Sequence, residues 1–177
     1  GSVRAAVSSG MGLSPEERKS QGLLLEEPVF KNVTLATFAR IARYGLLDEK
    51  RERAVSRTQI EALELRPPDP DLLAGTLSGG NQQKVVIGRE LSRPKLAAVV
   101  AAQPTRGVDI GGIARIHDRL RAAARDGAGV LVISADLDEL LALCHRIVVM
   151  LRGRIVGERE GDALHGADAR SALGRWM

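Results

Sequence analysis

Two short, unbroken apolar runs, Ala97–Ala102 and Gly129–Ser134 ("GVLVIS"), constrain the fold most strongly. Runs of this length without alternation are expected of strands buried on both faces. Between them, Ile113–Arg125 carries a helical period, and Asp136–Leu143 reads as a short helix with Asp136 or Ser134 as its N-cap. "RIVVML" and "GRIVGERE" flank Arg152-Gly153, which reads as a tight turn between two further strands. Strand, helix, strand, helix, strand is the order of an α/β domain built on a parallel sheet.

The first third reads differently. Val3–Gly12 is expected to hold a helix that ends before a short strand, and "SPEERKSQG" a surface loop or short turn. Apolar residues recur at Val33, Leu35, Ala36, Ala39, Ile41 and Ala42, so Asn32–Tyr44 is expected to be an amphipathic helix with Gly45 as its C-cap. Lys50–Leu65 reads as a second helix with Ala54, Val55, Ile60 and Leu63 facing inward. The three prolines of "RPPDPD" end it.

The 177 residues are 44% hydrophobic and only 2% aromatic, so the core must be aliphatic and base-stacking platforms are not expected. The net charge of +4 comes from dispersed residues, which suits a mixed solvated surface better than a nucleic-acid footprint. Cys144 is the single cysteine, so no internal disulfide or cysteine cluster for zinc can form. Gly1-Ser2 is expected to be a cloning remnant and the chain a portion of something longer. His117, His145 and Cys144 are expected to have packing or surface roles, and Trp176 to pack or hang free.

The densest local signal is "TLSGGNQQKVVIGREL", Thr76–Leu91. Ser-Gly-Gly opens a helix whose Val85, Val86, Ile87 and Leu91 share a side. Either Ser78 is simply an N-cap, or its hydroxyl and the bare N–H groups of Gly79 and Gly80 receive an anion such as a phosphate at the positive end of the helix dipole. Leu77 to Gln83, "LSGGNQQ", resembles the signature motif of the ATP-binding cassette (ABC) transporter ATPases. Other stretches follow in that family's order. Ala97–Gln103 resembles its Walker B strand and Pro104-Thr105 the turn after it. Gly107-Val108-Asp109 resembles the D-loop, "LVISADLDEL" the switch region, and Pro15 to Lys19 the Q-loop of double-domain simple-sugar importers. "AAQPTRGVDIGG" is also similar to the nucleoside-importer branch.

The resemblance implies a truncated P-loop α/β domain: 3–28 as the Q-loop region, 29–92 as a helical subdomain with the signature, and 93–177 as the α/β core and C-terminal segment. It also implies an ATP-binding component of a sugar importer, peripheral on the cytoplasmic face of the membrane. ATP and Mg²⁺ would be held in the full-length assembly and not by this chain alone. Partners would be the other ATPase domain of the same polypeptide, membrane-spanning permease subunits and, indirectly, a periplasmic or lipoprotein substrate-binding protein, with no nucleic acid.

Departures from the family pattern shape that reading. No GxxxxGK[ST] occurs in the chain. Ala102 stands where the magnesium-binding aspartate would be, Gln103 at the catalytic glutamate, Ala135 at the switch histidine and Glu16 at the Q-loop glutamine. An amide cannot take a proton from water. The domain is therefore expected to offer Leu77, Ser78, Gly79, Gly80, Asn81 and Gln82 to ATP bound by its partner domain, with Gly107 and Asp109 bracing the interface. It would hydrolyse nothing at its own site. Glu16 to about Phe38, with the apolar Leu23, Leu24, Leu25, Val29 and Phe30, is the expected docking surface for the membrane subunit. Strands left without a neighbour are expected to drive self-association, as a homodimer. The competing readings are an SMC- or repair-type ATPase head acting on DNA, which would need coiled-coil insertions, and a purely structural interaction module.

Overall fold

Three parallel strands form where the sequence puts its densest small apolar residues. β1 is Met11–Ser14, β4 Ala98–Ala102 and β5 Gly129–Ile133, in the order β1-β4-β5. Leu13 is paired with Val100, and Val100 with Leu131. The computed structural model describes residues 1–43, 46–164, 166 and 169–176. It separates into two units, Gly1–Ile133 and Ser134–Met177.

In the first unit, helix α1 (Val3–Ser8) is capped by Ser2, whose Oγ accepts from the Ala5 N–H. A left-handed Gly10 turns the chain into β1. In β4 the alternate residues Val99 and Ala101 are fully buried. β5 departs from the expected strand buried on both faces, because Leu131 and Ile133 are about half exposed. Among the described residues β5 pairs only with β4, so one of its edges carries no neighbour. Helix α6 (Ile110–Arg125) links β4 to β5 and begins three residues before the expected start, because Asp109 caps it.

The helical part contains α2 (Val29–Thr34), α3 (Phe38–Ile41), α4 (Glu49–Ala62) and α5 (Gly79–Leu91). Val29, Val33, Ile60, Leu63, Leu65, Leu77, Val85 and Val86 form its core. The single helix expected over Asn32–Tyr44 is instead broken. It starts at Val29, tightens to a 3₁₀ turn at Leu35–Thr37, and gives way after Ile41 to a two-residue strand, β2 (Ala42–Arg43), paired with β3 (Leu46–Leu47). Side-chain chemistry breaks the period. Thr37 Oγ1 donates to the Thr34 carbonyl (3.0 Å), competing for an acceptor that a continuing helix would use. The expected cap Gly45 lies outside the described residues.

α4 also differs in its inward face. Glu52, Ser56 and Ile60 point in, whereas Ala54 is exposed. The buried Glu52 carboxylate accepts from Thr34 Oγ1 at 2.6 Å, so a polar pair, not an alanine, joins α4 to α2.

The second unit is smaller. β6 (Arg146–Leu151) and β7 (Arg154–Glu160) form an antiparallel hairpin, not further strands of the parallel sheet. Arg152 and Gly153 both take positive φ in the turn, the geometry that matches strand twist. Helix α7 (Leu137–Leu143) is capped by Asp136, which accepts from the Asp138 and Glu139 N–H groups. Ser134 in turn accepts from the Asp136 N–H. Ile147, Val149, Leu164 and Leu173 form a small core together with Leu137, Leu140, Cys144 and Trp176, and helix α8 (Ala169–Gly174) closes the described chain. Trp176 packs flat on Gly157, with Arg159 4.9 Å over its ring.

Candidate functional site

The start of α5 is built from the side chains that follow Ser78. Ser78 Oγ accepts from the Asn81 N–H (3.4 Å) and from Asn81 Nδ2 (3.1 Å). Asn81 Nδ2 also donates to the Arg66 carbonyl at 2.6 Å, tying the proline-rich loop to the helix start. Gln82 Nε2 donates to the Ala74 carbonyl at 3.2 Å, which holds the 3₁₀ turn Ala74–Thr76 just before it. Leu77, Asn81 and Gln82 are buried, while Ser78 is exposed and Gly79 and Gly80 are half-buried. With two donors on its oxygen, the Ser78 hydroxyl keeps its own proton to give outward. The first helical N–H groups, at Gly79 and Gly80, have no intrahelical acceptor. This edge of α5 is therefore a donor-rich site suited to a phosphate oxygen.

The loop after β4 lies against this turn. Gln103 takes a left-handed backbone (φ 48°) and its N–H donates to the Ile133 carbonyl at 2.7 Å. Two consecutive turns follow, with Arg106 N–H donating to Gln103 O and Val108 N–H to Thr105 O. The Gly107 carbonyl lies 3.4 Å from where a Cβ on Gly80 would stand. A Cβ on Gly79 would lie 2.5 Å from Arg18 Nη2. Asp109 Oδ1 accepts from the Gly112 N–H (2.9 Å). That bond, followed by the nearby positive charge of Lys84, holds its carboxyl below the usual range.

Ala102 and Gln103 supply no carboxylate at the strand end, neither an anionic ligand for Mg²⁺ nor a side chain that accepts a proton from water. Among the described residues no group of three or more His, Cys, Asp or Glu could hold a metal. The donors of Ser78, Gly79 and Gly80 do fit a phosphate. Glu16 is exposed and accepts from Arg106 Nη1 (3.0 Å), as does Glu17 (3.5 Å). Ala135 is exposed and belongs to the second unit. Sequence reasoning singled out Glu16 but missed Glu17, Arg18 and Arg106. The charge block Glu16-Glu17-Arg18-Lys19, two acids followed by two bases, was the only signal, and it does not reveal a partner about ninety residues away.

Beside the C-terminal end of α5 is a groove of about 310 Å³, lined by Ser20, Gly22, Leu24, Leu35, Arg89 and Arg93 among others. Of the five apolar residues expected on a docking surface, Leu24 is half exposed, while Leu23, Val29 and Phe30 are buried and Leu25 packs on the core. Phe30 lies beneath the Arg53 guanidinium. Glu27 and Lys31 form an exposed ion pair at 2.6 Å, which raises the Lys31 pKa.

No protein-family model matches the chain. It is 44% identical over 158 residues to the ribose import ATP-binding protein RbsA of Yersinia pestis, covering 89% of this chain and 31% of that protein. It is 40% identical over 161 residues to the ribose import ATP-binding protein RbsA 2 of Escherichia coli O157:H7, covering 90% and 31% respectively. The chain thus spans about 31% of the length of these curated relatives. Its fold matches the ATP-binding cassette MJ0796, solved as a dimer in a post-hydrolysis state with ADP and Pi. The TM-score is 0.71 at 23% identity, covering 86% of this chain and 63% of that one. The cassette MJ1267 matches with a TM-score of 0.66 at 22% identity, covering 94% and 69%.

Proposed function

The chain belongs to the ATP-binding cassette family, as a homologue of ribose-import ATP-binding proteins, and on that premise we propose that it serves a neighbouring ATP site while its own is silent. Ser78, Gly79 and Gly80 contact the terminal phosphate of ATP held, with its Mg²⁺, by the other ATPase domain of the same polypeptide. Leu77, Asn81 and Gln82 hold that turn in shape. Asp109 fixes the loop that carries Gly107 against it. Bound ATP supplies the reacting phosphoryl group. This chain's part is to orient and neutralise it with a hydroxyl proton and two backbone N–H groups.

One observation carries this reading: a fully built donor turn stands beside the loop that leaves a strand end with no acid. The groove beside Leu24 suits a helix of a membrane-spanning importer subunit, which would place the assembly at the cytoplasmic face of the membrane. No helix among the described residues is long and apolar enough to cross a membrane itself. The relatives are named for ribose import, so a DNA-acting head is not favoured. The sugar, or a nucleoside, is chosen by other subunits.

The test compares two substitutions in the full-length protein assembled with its membrane subunits. Ser78→Arg fills the phosphate position and should lower ATP turnover by about 10²–10³. Gln103→Ala should change it less than about twofold, against the ~10² expected of a working catalytic group. Equal losses would sink the division of labour. Cross-linking from Glu27 or Lys31 to the membrane subunit tests the docking surface, and no adduct in an assembled transporter would refute it.

A further inference from the structure

Three loops that are far apart in sequence meet at one side chain. Arg18 opens the wide turn Arg18–Gly22 that follows β1. Its Nη1 donates to the Arg106 carbonyl at 3.0 Å. Its Nη2 lies in the space that Gly79 leaves by lacking a side chain, 2.5 Å from the Cβ position there and 3.4 Å from that of Gly107. The contact is reciprocal, because the Arg106 guanidinium donates back to Glu16 (3.0 Å) and Glu17 (3.5 Å). Segment 16–18 is thus bonded to the loop at 103–109 and wedged against the turn at 78–80.

The type of residue matters. A guanidinium is flat and presents donors in a fixed fork, so it can enter the slot over Gly79 and still reach a carbonyl. A lysine ammonium is a rounder point charge on a flexible stem and cannot do both. The ion pairs around Arg106 leave more than half of each side chain exposed, and pairs of that kind add little to stability. What the arrangement fixes is position.

We propose that Arg18 is a positioning residue, which sets the spacing between the Gly107–Asp109 loop and the Ser78–Gly80 turn and transmits to that turn any movement of the groove-lining Ser20–Leu24 segment. This rests on the reading of Ser78–Gly80 as the phosphate-contacting turn. The groove begins two residues beyond Arg18, so a partner seated there pulls directly on the clasp.

The experiment uses the full-length protein with its membrane subunits in proteoliposomes, measuring kcat and KM for ATP and the coupling ratio of substrate moved per ATP hydrolysed. Arg18→Ala should lower kcat about tenfold or more with KM for ATP unchanged, since a small misplacement of a phosphate-contacting group acts on the reacting state. The coupling ratio should fall as well. Arg18→Lys retains the charge and most of the stem, folds, and should not restore kcat. Arg106→Glu should lower the coupling ratio, and adding Glu16→Arg with Glu17→Arg should recover it in part. Wild-type kcat and coupling in Arg18→Ala, or full activity in Arg18→Lys, would overturn the proposal. Ser78→Arg is run in parallel. If it abolishes turnover while Arg18→Ala does nothing, only the clasp fails. If Ser78→Arg is itself harmless, the phosphate-contact reading fails.

Discussion

At the start of α5 the side chains of Asn81 and Gln82 reach back to the Arg66 and Ala74 carbonyls, and Ser78 is left with a proton to give. At the end of β4, some 20 residues later, the backbone is held just as firmly. Gln103 keeps its bond to Ile133 and its left-handed conformation, yet Ala102 and Gln103 carry no acid. Backbone geometry is secured by the fold around it and persists when side chains change. Chemistry resides in single side chains and is lost with them. The two places therefore call for different tests: function at the first and backbone at the second.

The widest gap should appear in nucleotide chemistry. The chain has a turn that can contact a phosphate but no GxxxxGK[ST] loop to cradle one and no acid to activate water. Purified alone, it should release no phosphate from Mg-ATP above background and bind it only weakly in titration calorimetry. Steady turnover, or micromolar binding, would break the contrast by showing that the emptied strand end still works.

A second contrast is in stability. Asn81→Ala removes the donor to the Arg66 carbonyl and one of the two donors on Ser78, two part-buried bonds, and should cost about 1–3 kcal/mol in urea unfolding. Gln103→Ala retains the N–H that bonds Ile133 and should stay within about 0.5 kcal/mol. If Gln103→Ala cost as much as Asn81→Ala, the strand end would depend on its side chain after all.

What the sequence disclosed divides along the same line. The α/β class, the tight turn at Arg152-Gly153 and the helix opened by Ser78 depend mostly on neighbours within a few residues and are as read, and of the two caps read for α7 it is Asp136 that bonds the helix start. Most of the features not read depend on distant partners. The inward Glu52 follows from Thr34 meeting a residue 18 positions on, whereas the break at Leu35–Thr37 is local, Thr37 Oγ1 bonding the Thr34 carbonyl three residues back. The half-exposed β5 has one strand neighbour among the described residues, and the Arg18 clasp is a contact across 88 positions. No periodicity encodes such pairings. Within the site, Ser78–Gly80 was legible because the glycines mark it, whereas Arg18 resembled any surface charge.

A third test asks whether the strand end is truly governed by backbone. Left-handed geometry costs an ordinary L-residue about 1–2 kcal/mol, and a β-branched residue fits it least. Gln103 already bears that cost, so Gln103→Val should lose only the added penalty of a β-branched side chain, about 1 kcal/mol or less, in thermal or urea unfolding. Gln103→Gly should be near neutral, relief of strain offsetting a more flexible unfolded chain. Equal stability of the Val and Gly variants would mean the conformation is not retained in solution.

The smallest expected effect concerns Asp109, an acid in the loop that follows β4. Asp109 caps α6 through the Gly112 N–H, and that bond, ahead of the Lys84 charge, lowers its pKa. A carboxylate held below its unfolded value stabilises the fold at pH above the unfolded pKa, and the contribution fades as pH falls through the folded one. Titration followed by NMR should show the Gly112 amide shifting only below the ordinary carboxylate range, with the first turn of α6 loosening there and Ser78–Gln82 unaffected. Asparagine can accept the same bond without titrating, so Asp109→Asn should retain the helix start and abolish that acid transition. A Gly112 shift that titrates at the ordinary carboxylate value, or persists in Asp109→Asn, would show that the side chain does not hold this loop. The loop beside Gly80 would then owe its place to its backbone turns and to the Arg18 and Arg106 contacts.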